Sequence, residues 1–220
     1  MARKFSDRDD AGRALADAVA ALGLADPVVL ALPRGGVPVA VPVARQLNAP
    51  LDLIMVRKIG APGNPELAAG AVVDGKAWEA VFNEGFLRQL GLTRDDFEMA
   101  IERELKTIEN RRAAYGAGRD PVTVEGRDAV VVDDGIATGA TVRAALKGLA
   151  RRKPRTVTLA VPVAAADTLD TLRPLVDRVF CLEAPAVFHA VGQHYVRFGQ
   201  VTDDEVIAAL DAARQEGDGT

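Results

Sequence analysis

Apolar positions along the chain change period several times, and each change marks an element. In 9–22, Ala11, Leu15, Ala18, Val19 and Leu22 recur at helical spacing until Gly23 and Pro27 end the run. Pro27-Val28-Val29-Leu30-Ala31-Leu32 follows, apolar without alternation, as expected of a strand buried on both faces of a parallel sheet. Residues 51–56, 129–132, 156–161 and 178–182 read the same way, and 67–73 is a further strand closed by the turn signal Asp74-Gly75. Between them, helical spacing is expected over 37–47, 83–90 and 93–114, through Val142, Ala145, Leu146 and Leu149, and over 165–172. Pro38 suits a first helical turn, whereas Pro42 predicts a kink or a late start. In 93–114, Phe97, Ile101, Leu105 and Ile108 form the stripe, Thr93 can cap, and Asp95 and Asp96 occupy the first turn. Thr202 caps a last helix. Strands alternating with helices predict an α/β fold with a mostly parallel central sheet and flanking helices. Residues 57–65, rich in glycine and proline, read as a loop, and 183–200 as irregular.

Composition narrows the class. With 220 residues and 49% hydrophobic content, the chain can bury a full core as a single domain spanning 1–220. A formal net charge of -4 disfavours a polybasic nucleic-acid protein. Cys181 stands alone, which excludes an intramolecular disulfide and any multi-cysteine metal site. No signal peptide and no membrane span are expected, and a reducing, cytoplasmic setting fits.

In an open parallel sheet, ligands bind beyond the carboxyl ends of the strands. Three loops fall there: 33–36, 57–63 and 133–141. The third is the sharpest. Asp133 and Asp134 end an apolar strand, and Gly135-Ile136-Ala137-Thr138-Gly139-Ala140-Thr141 opens a helix. Glycines let backbone amides converge on an anion, the helix start adds partial positive charge, and Thr138 and Thr141 can donate hydroxyl bonds. The carboxylates repel a phosphate but suit sugar hydroxyls or hydrated Mg²⁺ beside it. A phosphorylated sugar satisfies both halves. The spacing is neither a Walker loop nor the dinucleotide fingerprint.

The run from Val130 to Thr141 resembles the 5-phosphoribosyl-1-diphosphate (PRPP) motif of type I phosphoribosyltransferases. Arg34-Gly35-Gly36 resembles that family's diphosphate-binding turn, often built on a non-proline cis peptide, and Arg57-Lys58 with the stretch to residue 75 resembles its mobile catalytic loop. From Ala11-Gly12-Arg13 through Asp203-Asp204-Glu205-Val206, the chain also resembles a subgroup of uncharacterised bacterial phosphoribosyltransferase-like proteins. The resemblance implies a phosphoribosyltransferase domain with a mobile loop over 57–75, a helical insertion over 76–118 and a hood over 183–200. It implies that Asp133 and Asp134 bind the ribose hydroxyls and that 137–141, with Gly135 and Ile136 leading in, grips the 5-phosphate. The Gly35 and Gly36 amides would meet the diphosphate beside Arg34, and Lys58 or Arg57 would approach it on closure. Mg²⁺ would be held mainly by PRPP oxygens, with Asp133 or Asp134 nearby and no protein ligand of its own. Ala137 fills the slot where 6-oxopurine enzymes carry an aspartate, so that general acid or base is absent from the loop.

Phe188 and Tyr195 could stack on a planar acceptor or pack the hood against the core. His189 and His194 have no acidic partners at metal-ligand spacing, Cys181 reads as strand filler, and the cations from Arg143 to Arg155 read as a solvated face. Arg111-Arg112 could serve the neighbouring site of a homodimer, the expected assembly. Two functional classes remain. One is an enzyme joining PRPP to a nitrogenous base or similar acceptor. The other is a PRPP- or nucleotide-binding regulator with little or no turnover. A hydrolase using Asp133 or Asp134 as nucleophile lacks the lysine and metal carboxylates that design needs.

Overall fold

The computed structural model describes residues 4–62, 64–74, 78–116 and 121–217. In chain order the first elements are α1 (Arg8–Ala20), β1 (Pro27–Ala31), α2 (Gly36–Gln46), β2 (Leu51–Leu53), β3 (Val56–Ala61), β4 (Asn64–Val73) and β5 (Glu79–Phe82). Then come α3 (Glu84–Leu90), α4 (Glu98–Gly116), β6 (Asp128–Val132), α5 (Ala140–Ala150), β7 (Thr156–Val163), α6 (Ala166–Leu172), β8 (Arg178–Glu183) and α7 (Asp203–Gly217). Gly75, expected in the turn after β4, lies outside the described residues.

The unalternating apolar runs form one parallel sheet in the order β2-β1-β6-β7-β8. Its strands lack polar alternation because both faces are covered. Val29, Ala31, Val130 and Val132 pack with Leu15, Val19, Val39 and Val43 of α1 and α2. The intervening Val28, Leu30, Ala129 and Val131 pack with Val142, Leu146, Leu149 and Leu172 of α5 and α6. Pro42 lies inside α2, neither ending it nor delaying its start. Its ring sits where α1 comes closest, and a Cβ on Gly12 would lie 2.6 Å from the Val39 carbonyl and 3.0 Å from Pro42 Cγ.

Residues 57–61, expected to be loop, form a strand instead. Arg57 and Lys58 lie in β3, which pairs antiparallel with β4 and, through it, with β5 as a separate three-stranded sheet. The turn-forming residues mislead because Gly60 marks an irregular register, shifting on both its sides, rather than chain reversal. Gly70 gives β4 close passage beside β5, since a Cβ there would lie 2.6 Å from the Val81 carbonyl. This sheet is wedged between two helices. Gly148 of α5 fits against the Val73 side chain at 2.7 Å from an ideal Cβ, and Ile59 and Val72 join Ile101 and Ile108 of α4. The span 76–118, expected to be helical, thus contributes β5 to the sheet before α3 and α4 begin.

Helix ends follow their sequence signals. Asn83 accepts from the Phe86 amide at the start of α3, and Gly91 closes it in the left-handed region. Thr202 and Glu205 form a reciprocal capping box at α7: Glu205 N donates to Thr202 Oγ1 and Thr202 N to Glu205 Oε2. Residues 184–202 carry a single short helical turn, Val191–His194. Phe5 makes a parallel bridge to Tyr195, and Val196 N and Arg197 N donate to the carbonyls of Phe5 and Ser6. Residues 195–197 are therefore stitched to the segment leading into α1.

Candidate active site

From β1 the chain moves outward to β2, and from β6 it moves the opposite way to β7 and β8. The carboxyl ends of β1 and β6 are therefore the sheet's switch point, where an open α/β sheet leaves a crevice. The turn 33–36 and the loop 133–139 meet there. Leu32 N donates to the Val132 carbonyl, and the Pro33–Arg34 peptide is cis. The acids demand the two glycines. A Cβ on Gly35 would lie 2.1 Å from Asp134 Oδ2, and one on Gly36 would lie 2.8 Å from the Val132 carbonyl and 3.0 Å from Asp133 Cα. Gly36 N, expected at the diphosphate, instead donates to the Leu32 carbonyl, because α2 already starts at this residue.

Asp133 and Asp134 lie side by side at this crevice. Burial, reinforced by the Asp134 charge, pushes Asp133 well above the usual carboxylate range. Burial also raises Asp134, against the pull of Arg8, whose Nε donates to Asp134 Oδ2 at 2.8 Å. Tyr195 Oη donates to the Asp134 carbonyl at 2.5 Å.

The loop beyond is pinned from below and open above. Ile136 is buried, with its amide donating to the Val163 carbonyl and its carbonyl accepting from Ala165 N. It anchors the loop and presents no side chain to a ligand. Gly135 fits against Val191, 2.5 Å from an ideal Cβ, and Thr168 Oγ1 donates to the Ala137 carbonyl at 2.7 Å. Gly139 takes φ +69, a left-handed conformation that lets α5 begin immediately. Ala137, Thr138, Ala140 and Thr141 surround this start, with Ala137, Thr138 and Thr141 open to solvent where the sheet ends, and no side chain caps α5. The first amides of an uncapped helix and two hydroxyls beside them could take an anion.

The cations differ in commitment. Arg34 Nη1 lies 3.7 Å from Asp203 Oδ1, which also accepts from Tyr115 Oη. Burial and that bond push the Tyr115 hydroxyl up to about 12. Arg57 Nε donates to Glu104 of α4 at 3.0 Å. Lys58, adjacent on the strand and so directed to the opposite face, is exposed and makes no ion pair among the described residues.

One cavity, about 410 Å³, joins Arg34, Gly35 and Asp134 to Arg8 and the 198–201 segment. Three of the anticipated residues therefore share it, while Arg57, Lys58, Phe188 and Tyr195 do not line it. Tyr195 is 2% exposed, packed between Phe5 and Phe198. Phe188 stacks on His194 at 5.4 Å. Both rings are thus engaged in holding the hood, and His189 is exposed outside the cavity. Burial pushes the Cys181 thiol up to about 11, so it is no ready nucleophile. Arg8 and the segment Gly199–Val201 were not singled out from sequence. Among the described residues, no group of three or more His, Cys, Asp or Glu side chains is placed to hold a metal.

Residues 8–197 match the family model described as phosphoribosyl transferase domain. The chain is 45% identical over 212 residues to the candidate phosphoribosyl transferase Rv0571c of Mycobacterium tuberculosis, covering 96% of this chain and 47% of that protein. It therefore spans about half the length of the curated relatives it matches. The crystal structure of TT1426 from Thermus thermophilus is 45% identical and superposes with a TM-score of 0.83, covering 94% of this chain and 97% of that one. A hypothetical protein from Neisseria gonorrhoeae, crystallised with bound ppGpp, shares the fold at 14% identity with a TM-score of 0.50, covering 97% and 99% of the two chains.

Proposed function

Because the chain belongs to the phosphoribosyl transferase domain family, we propose that it transfers 5-phosphoribosyl from PRPP to a nitrogenous base or similar acceptor and releases diphosphate. The observation that carries this reading is the placing of two carboxylates between an open anion cradle and a glycine turn at one switch point. The cradle at 137–141 would take the 5-phosphate, and Asp133 and Asp134 the ribose hydroxyls. Arg34 and the Gly35 side of the turn would face the diphosphate. With sugar and phosphate fixed, C1 is held for attack. The acceptor nitrogen forms a bond to C1 as the C1–oxygen bond to diphosphate breaks, and the nitrogen releases its proton to solvent or product. Lys58, unlike Arg57, has no competing acid among the described residues, so we assign it to the leaving diphosphate when the β3–β4 hairpin closes as a lid.

Mg²⁺ fits this donor set with diphosphate oxygens as its ligands. Asp133 or Asp134 would lie beside it, with PRPP oxygens and water as the remaining donors. Bound there, it would supply positive charge to the departing diphosphate. We place the acceptor under the hood, between the Asp134 side of the cavity and residues 198–201. A homodimer in the cytoplasm completes the reading, and sedimentation checks the assembly.

The test is diphosphate release from Mg-PRPP with a panel of purines, pyrimidines and simple amines. Release with any acceptor supports transfer. Calorimetric binding of Mg-PRPP without release by any of them favours the regulatory class, and absence of binding rejects both. Lys58→Ala is expected to lower kcat about tenfold or more while the Kd for Mg-PRPP changes little.

A further inference from the structure

Arg8 breaks a local rule. It is the first residue of α1, where the helix dipole disfavours a cation and where Asp7, Asp9 and Asp10 supply the usual acids. A side chain that opposes its helix is expected to be held by something else. Three contacts hold it. Its Nε donates to Asp134 Oδ2 at 2.8 Å, its Nη1 donates to the Gly199 carbonyl at 2.8 Å, and its Cζ lies 3.9 Å over the Phe198 ring. Both members of the Arg8–Asp134 pair are largely buried, with side-chain exposures of 12% and 15%. Arg8 and Asp134 also line the same cavity.

We propose that Arg8 is the positioning residue for the ribose-binding carboxylate, an inference that rests on the phosphoribosyl reading above. A carboxylate has about four acceptor sites on two oxygens. Arg8 takes Oδ2 and leaves Oδ1 for a ribose hydroxyl. The bond through Nε fixes the plane of the carboxylate, because the guanidinium is itself fixed by Phe198 on one face and Gly199 at its end. It also puts a positive charge beside two adjacent acids that would otherwise repel each other in a desolvated crevice. Phe198 is sandwiched by Tyr195 and Arg8, so its contribution is to steady the guanidinium. Arg8 stays in place when PRPP binds, and it acts through Asp134.

The role predicts a selective loss. Arg8→Gln and Arg8→Met are expected to raise the Kd for Mg-PRPP at least about tenfold, the scale of one charge-assisted bond. Binding of Mg-diphosphate, which has no ribose, is expected to change less than about twofold. Arg8→Lys, which keeps a charge near Asp134 but not the fixed guanidinium, is expected to recover part of the PRPP affinity, whereas packing alone predicts that Met does so. Melting temperatures verify folding. In wild-type protein, the ¹⁵N signal of Arg8 Nε–H is expected to stay protected from exchange when Mg-PRPP is added, a readout independent of any variant. Four results overturn the role while leaving the phosphoribosyl reading intact: unchanged PRPP affinity in Arg8→Gln, equal losses for PRPP and diphosphate, recovery by Met rather than Lys, or loss of the Nε–H protection on binding. Failure of wild-type protein to bind Mg-PRPP overturns the reading itself, and Arg8's role with it.

Discussion

Strand β6 carries carboxylates at both ends, and they live under opposite conditions. At its start, Asp128 accepts from Arg155 Nε and Nη2, Thr156 Oγ1 and Ala25 N, at 2.9, 2.6, 2.8 and 3.1 Å. The Arg155 bond, helped by Thr156 and the Ala25 amide, holds it well below the usual carboxylate range. Just past its other end, Asp133 and Asp134 are pushed up, Asp133 by burial and its neighbour's charge and Asp134 by burial, with Arg8 as the single ion-pair partner of Asp134 among the described residues. One end ties β6 to the rest of the sheet. The other holds two acids against burial with fewer donors, Arg8 Nε on Asp134 and the Asp134 amide on Asp133. Strand position alone does not distinguish structural from functional acids, whereas their donor inventories do.

The contrast can be broken from either side. Asp134→Asn is expected to cut kcat/KM for PRPP about 100-fold while the melting temperature changes little, because removing a charge that burial disfavours offsets the unpairing of Arg8. A fall in both would show that Asp134 is structural after all. Asp128→Asn should do the reverse. Its amide NH₂ would face the Arg155 donors, costing about 2 kcal/mol in denaturant titrations, and PRPP affinity of the folded fraction should not change.

Acidity gives a third handle of smaller size, and the two ends have opposite signs. Asp128 has a depressed folded pKa, so its stabilisation is complete above the unfolded value of about 3.9 and is lost as pH falls toward the folded one. Asp133 and Asp134 have raised folded values, so the folded state binds more protons than the unfolded state above about pH 3.9. Their contribution therefore declines as pH rises through the raised range. Melting curves from about pH 3 to about pH 8 should show Asp134→Asn gaining on wild type as pH increases, and Asp128→Asn closing its deficit at the acid end. Arg155→Gln is the mildest case. Arg155 is 46% exposed, so its loss should lower stability less than Asp128→Asn does and leave the site untouched.

The parallel sheet was legible because β1, β6, β7 and β8 lie between covering layers and leave unbroken apolar runs. The acid pair and the glycine turn were legible because they lie at the ends of those runs, and because the glycines are required by close approach to the acids. The hairpin was not. Gly60 and Pro65 gave breaker signals that proved compatible with strands, that of Gly60 bearing an irregular register. Arg8 was hidden for another reason. It lies 126 residues from Asp134 in sequence, and three neighbouring acids made its turn look like an ordinary helix start. The one local sign was a cation at that dipole. Tyr195 shows the limit of residue type as evidence, since a ring suited to stacking on a ligand is spent instead between Phe5 and Phe198.

The bridge between Phe5 and Tyr195 has a consequence in time. Arg8 reaches the Gly199 carbonyl across 191 positions, and Arg197 reaches Asp7 across 190. During synthesis the segment leading into α1 emerges well before residues 195–199, and its contacts with them stay unmade until those residues have left the ribosome. The parallel sheet can assemble strand by strand before then, but the cavity has no roof until the final pairing forms. Closing a loop of that length is slow relative to local folding. A chain halted before residue 194 should therefore keep much of its sheet and yet have an open, unroofed crevice. Roofing of the cavity is thus later than pairing of the strands beneath it.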